Sequence, residues 1–209
     1  MKNRTLLYPL ALAIAAGLTL SGCVPAPSEP NSAPTATTAS STDNGTPAAS
    51  APAAATEHNE ADTMFAQMML PHHEQAITMS DMMLAKGTSI DSSIRDLATD
   101  IKAAQGPEIE KMNSWLSLWN EPASAGTMGH SMEGMLGDDE LAALDAAQGT
   151  EATRLFLTQM IGHHKGAVQM AEDAIADGSN PEVISLATSV VKDQQAEIKA
   201  MEELLQDYK

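Results

Sequence analysis

Two pairs of adjacent histidines carry the chemistry legible in this chain. His72-His73 and His163-His164 each begin three residues after a methionine, Met69 and Met160, and each is followed by another, Met79 and Met170. Separations of three and four residues put side chains on one face of a helix, so Met69 can share a partner with His72 or His73, and Met160 with His163 or His164. His72 and Met79 would lie about 10.5 Å apart along a helix axis, which calls for different ions or for ligands from another helix. Imidazole nitrogen and thioether sulfur together suit soft cations, Cu(I) first, with Ag(I) as a substitute and Cu(II) open to imidazole. A third cluster, Met128, His130, Met132 and Met135, offers the same donors in a glycine-punctuated stretch. Thiolate is not on offer, because the chain has 14 methionines and one cysteine, Cys23.

Each feature has a plainer explanation. Methionines at helical spacing ordinarily fill cores, and a lone inward histidine is ordinarily a hydrogen-bonded core residue. What weighs against this is recurrence: five of the six histidines stand near methionines, in two matching arrangements and one loop version.

The elements that position these groups must be helices. Phe65, Met69, His72, Ala76, Met79 and Met83 follow one another at three and four residue steps, the seam that faces a bundle core. Phe156, Met160, His163, Ala167, Met170 and Ala174 repeat it. His73 and His164 then sit about 100° further round and must do something different from His72 and His163. Hydrophobic periodicity and stop signals predict four long helices, near 59–86, from about 89 or 91 to 119, near 150–177, and from Pro181 onward behind a Ser179 or Asn180 cap. A short extra helix is predicted from Asp138. Pro71, just before the first histidine pair, predicts a local kink; Gly162 holds the same place in the second copy. The fold class expected is all-α, an antiparallel four-helix bundle of two duplicated hairpins, repeat one about 62–119 and repeat two about 150–208 of a domain covering 58–209.

The second and fourth helices bring Gln105, Glu108 and Met112, and Gln194, Glu197 and Met201, to the matching face. Buried carboxylates need partners, so Glu108 and Glu197, with Gln105 and Gln194, are expected to support the ligands from behind, against the histidines or a cation.

Upstream, Lys2 and Arg4, an apolar run from Leu6 to Leu20, and Leu20-Ser21-Gly22-Cys23 read as a lipoprotein signal over residues 1–22, with Cys23 acylated. Residues 23–57, mostly Ala, Pro, Ser and Thr, cannot bury a core and are expected to tether the domain to a membrane with a reach of roughly 30 Å. Localisation on the periplasmic side or the cell exterior follows. The formal charge of −17 becomes −19 once Lys2 and Arg4 leave with the leader. That surface repels nucleic acid and attracts cations, although acidity alone also serves solubility.

The motif Phe-x3-Met-x2-His-His-x2-Ala-x2-Met at Phe65–Met79 and Phe156–Met170, followed by Gln-x2-Glu-Ile-x2-Met at Gln105–Met112 and Gln194–Met201, resembles the bacterial exported proteins grouped as domain of unknown function 305. The likeness spans about Asp62 to Leu205. It implies a ferritin-like bundle and, for some members, an envelope role in copper resistance, binding copper and silver through Met69, His72, His73, Met79, Met160, His163, His164 and Met170, with the loop as a second region. Met64, Met68, Met82 and Met83 have no counterparts in the second copy. A di-iron oxidase is disfavoured because Glu-x-x-His pairs are missing, Lys111 and Ala200 standing where histidine would be needed. No Gly-x-Ser-x-Gly elbow or free thiol marks a nucleophilic enzyme. The expectation is therefore a non-enzymatic copper-binding lipoprotein with metal ions, a membrane and a copper-transfer protein as partners. The competing expectation is a structural or interaction protein whose core histidines pair with Glu108 and Glu197.

Overall fold

The structure, a computed structural model, describes residues 57–124 and 132–208. The leader, Cys23, the tether through residue 56, and Met128 and His130 lie outside the described residues. Among the described residues every regular element is helical: α1 (Glu60–Ala85), α2 (Ser92–Trp119), α3 (Asp138–Ala146), α4 (Gly149–Asp177) and α5 (Pro181–Leu205), with short 3₁₀ turns at Gly87–Ser89 and Gln206–Tyr208. Local chemistry accounts for the ends. The Asn59 side chain accepts from the Asp62 N–H while Asp62 accepts from the Asn59 N–H, a reciprocal cap on α1. Asn120, in the left-handed conformation, stops α2 two residues before Pro122. Asn180, not Ser179, caps α5, accepting from the N–H groups of Glu182 and Val183, with Pro181 at the first position.

α1 runs from Glu60 to Ala85 as one helix through Pro71. Pro107, inside α2 beside Gly106, is a second interior proline that the periodicity did not flag.

α1 pairs with α2 and α4 with α5, and the two hairpins meet along α1 and α4. Their apolar side chains form two separate cores. One holds Phe65, Met69, Met112, Trp115, Ala167 and Val190; the other holds Ala76, Met79, Ile101, Phe156, Met160 and Met201. Every long helix passes from one core to the other through a buried polar residue: His72 on α1, Gln105 on α2, His163 on α4 and Gln194 on α5. A polar layer thus divides the bundle at mid-height.

Asp62 ties the hairpins together at one end. It is fully buried, and its carboxylate accepts from the N–H groups of Asn59, Ser179 and Asn180 and from the Ser179 hydroxyl. A Cβ at Gly178 would collide with the Ala174 carbonyl oxygen and stand 2.7 Å from Asp62 Oδ1, so the turn needs glycine, first for the helix end and then for this carboxylate. At the other end α3 lies over α1 and α4. It inserts Leu144 into the second core, while Lys86 donates to the carbonyls of Asp145 and Ala147 at 2.8 Å each.

Candidate metal centre

His72 and His163 occupy equivalent places in the two repeats, so their mutual contact marks the pseudo-twofold axis. Their rings lie 3.7 Å apart between centroids, tilted by 36°. Both side chains are buried, and none of their four ring nitrogens makes a well-formed hydrogen bond, although the Glu133 carbonyl lies near the His72 ring and the His72 carbonyl near the His163 ring. Burial disfavours the imidazolium and lowers the His72 pKa from 6.5 to about 3; the neighbouring His73 and His164 add to this, and the nearby Glu133 carbonyl opposes it. His163 is lowered further still, by burial first and then by His72, His164 and His73. Both rings are therefore neutral at neutral pH, and each carries a free lone pair.

His73 and His164 do have the different job that helix geometry required. His73 Nε2 donates to Glu108 Oε2 at 2.7 Å, and His164 Nε2 donates to Glu197 Oε2 at 2.6 Å. A carboxylate only accepts, so the proton sits on Nε2; in the neutral ring the lone pair is then on Nδ1. Nδ1 of both residues is buried and unpartnered. A histidine held through one nitrogen by a carboxylate, with the other nitrogen free, is the arrangement that second-sphere carboxylates impose on metal ligands.

The glutamates thus take His73 and His164, and the seam histidines remain free. Gln105 and Gln194 lie in the same layer, buried, with both amide atoms of Gln105 and the Gln194 oxygen unpartnered. Of the eleven buried side-chain atoms lacking a partner among the described residues, nine belong to these six residues. Since an unmet buried polar group costs about 1–3 kcal/mol, such a concentration in one layer is expected of a site shaped for a ligand and not of a purely structural core.

Among the described residues no three side chains of the His, Cys, Asp and Glu types converge to hold an ion by themselves. Any ion here would therefore be held by few imidazoles with help from sulfur. Met69 and Met160, one turn before His72 and His163, are fully buried on opposite sides of the layer. Met79 is buried in the second core, whereas Met170 lines a groove at the bundle surface. Each stands two turns beyond its histidine, as the spacing implied.

The segment from Met132 to Leu136 straps this layer from outside. A Cβ at Gly166 of α4 would collide with the Glu133 carbonyl, and one at Gly134 would stand 2.7 Å from the Gly162 carbonyl and 3.0 Å from that of His163. The Gln75 amide of α1 holds the far side, donating to the Leu136 carbonyl at 2.9 Å and accepting from its N–H at 2.7 Å. Gln75 and Gly166 are equivalent positions of the two repeats. Their mismatch was the available signal that something asymmetric crosses the axis there. Met132 and Met135 ride on this strap, both partly buried.

The family model described as domain of unknown function (DUF305) matches residues 62–205. The chain belongs to this family. A DUF305 protein from Streptomyces coelicolor described as secreted has a crystal structure that matches with a TM-score of 0.65 at 33% identity, covering 71% of this chain and 93% of that one. A DUF305 fragment from Deinococcus radiodurans matches at the same TM-score and identity, covering 71% of this chain and 97% of its own. CopM in its Cu(I)-bound form matches with a TM-score of 0.60 at 34% identity over 70% of this chain and 96% of that one, and CopM has also been solved with Cu(II) and with Ag. An uncharacterised protein, L153, from Acanthamoeba polyphaga mimivirus is 44% identical over 55 residues; that stretch covers 26% of this chain and 35% of the relative. This DUF305 chain thus shares its helical bundle with CopM, a protein solved with copper and with silver bound.

Proposed function

We propose that this protein is an exported, lipid-anchored copper-binding protein. It sequesters Cu(I), or hands it to a transfer partner, in copper homeostasis and resistance, and it catalyses no reaction. Ag(I) takes the place of Cu(I), and Cu(II) is bound through imidazole. The observation that carries this reading is the His72–His163 pair, two neutral imidazoles in contact on the axis with no side-chain partner and no well-formed hydrogen bond. Ligands must shed their protons before binding metal, and burial has already done so here. The ligands would be drawn from His72, His73, His163 and His164, no more than two imidazoles to an ion, with Met69 and Met160 supplying sulfur. Thioether and neutral imidazole favour a soft monovalent cation over hard divalent ions. The relatives solved with Cu(I), Cu(II) and Ag support the choice of ion. The Leu20–Cys23 motif supports the anchor, and the relative described as secreted supports export.

The competing reading, a structural or interaction protein, has in its favour the His73–Glu108 and His164–Glu197 bonds. It leaves the His72–His163 contact without a purpose. Titrating the purified protein with Cu(I) against a competing chelator separates the two. The double variant His72→Leu/His163→Leu, which fills the layer with hydrocarbon, should lose tight Cu(I) binding while keeping or gaining stability, by ~1–2 kcal/mol from relief of unmet polar groups. Stoichiometry near zero in the wild type, or a strongly destabilised variant that still binds copper as the wild type does, would overturn the proposal.

A further inference from the structure

The duplicated bundle has two equivalent α1/α4 grooves, and the described residues cover only one of them. On the covered side Leu155 and Met82 pack against the second core together with Leu141 and Leu144 of α3, Gln159 donates to the Glu140 carbonyl, and Lys86 donates to the Asp145 and Ala147 carbonyls. The equivalent positions on the other side are Met64, Met68, Asp173 and Asp177, for Leu155, Gln159, Met82 and Lys86 respectively. There the groove is open, about 380 Å³, lined by Met64, Met68, Phe65, Met170, Asp173 and Asp177. Met64 is 45% exposed, an unusual position for a side chain whose ordinary use is to fill a core.

We infer that this groove is a second soft-cation site, built from the thioethers of Met64, Met68 and Met170. Met64 and Met68, four residues apart, share one face of α1, and Met170 faces them from α4. Sulfur is the only soft donor there, and a neutral thioether set prefers a soft monovalent ion such as Cu(I) or Ag(I) over Ca²⁺, Mg²⁺ or Zn²⁺. Asp173 and Asp177 add negative charge at the rim, which concentrates cations and offsets the charge of a bound one. The groove is open to water whereas the histidine layer is buried, so a cation can be exchanged here without opening the bundle. The site goes beyond the histidine layer and stands or falls separately from it.

Peroxide footprinting of the full chain, with and without silver nitrate, tests this directly, since thioethers oxidise to sulfoxide when exposed and unliganded. One to two equivalents of Ag(I) should slow oxidation of Met64, Met68 and Met170 several-fold in the wild type and equally in His72→Leu/His163→Leu. Met64→Leu/Met68→Leu, a surface change that conserves volume, should lower the Ag(I) stoichiometry by one and leave Met170 unprotected, while the copper bound by the histidine layer is unchanged. Oxidation of the three methionines at the same rate with and without Ag(I) overturns the inference. So does an unchanged stoichiometry in the double leucine variant, or protection that appears without Ag(I) and grows with protein concentration, which would mark the groove as an apolar contact between copies. Loss of protection only when His72 and His163 are replaced would also overturn it, because the groove would then have no affinity of its own.

Discussion

At the scale of single residues, His72 and His163 owe their character to the water they have lost. The unfolded chain takes up a proton on each near pH 6.5, but the folded chain does not until His72 reaches about 3 and His163 a lower value. Below pH 6.5 the unfolded state therefore binds more protons, and stability falls as the pH drops toward 3. Going from pH 7 to pH 5 should cost about 2 kcal/mol for each histidine. Urea midpoints at the two pH values should show this drop in the wild type and much less of it in His72→Leu/His163→Leu; equal drops would mean that the pair is not held neutral. Glu108 acts through another atom. Replacing it in Glu108→Gln keeps the shape but lets the amide donate as well as accept, so the His73 proton is no longer confined to Nε2. Copper affinity, measured by chelator competition, should weaken about 10–100-fold with the fold intact. An affinity unchanged by this variant would exclude His73 Nδ1 from the ligand set.

Among the elements, the helix ends decide how the hairpins are joined. Asp62 accepts from both the start of α1 and the turn between α4 and α5, so one buried carboxylate holds two caps and a long-range contact. Asp62→Ala leaves several buried donors without an acceptor and should cost roughly 3 kcal/mol, read as a lowered denaturation midpoint. A change below about 0.5 kcal/mol would place this end of the bundle outside the cooperative unit. α3 shows how a connection can break symmetry. Equivalent faces of α1 and α4 exist on both sides of the axis, but α3 occupies one and leaves the other, with its three methionines, open.

For the whole molecule, the polar layer is a cost held by the two apolar cores that flank it. A cation that satisfies the layer binds the folded chain only, and so stabilises it by mass action. With free Ag(I) at about 100 times its dissociation constant the gain should be about 2.7 kcal/mol, or some 5–10 °C in Tm for a domain of this size. Thermal unfolding followed by circular dichroism, with silver nitrate and with sodium nitrate as the control, measures it. No shift with silver would mean that the layer takes no cation. Among the described residues no helix is long and apolar enough to cross a membrane.

The sequence by itself determined the helices, their order and the duplication, because seam spacing, caps such as Asn59 and Asn180, and the offset between repeats are local or periodic properties of the chain. It also put both histidine pairs and both glutamates at one height. It did not say which histidine meets which glutamate, because residues one apart differ by about 100° around a helix, and only the packing of neighbouring helices decides which direction is inward. Tertiary structure therefore assigned His73 and His164 to the carboxylates and left His72 and His163 facing one another on the axis. It likewise decided that Met79 is buried while its counterpart Met170 is partly exposed, since a side chain's access to water depends on whether a distant segment such as α3 covers it.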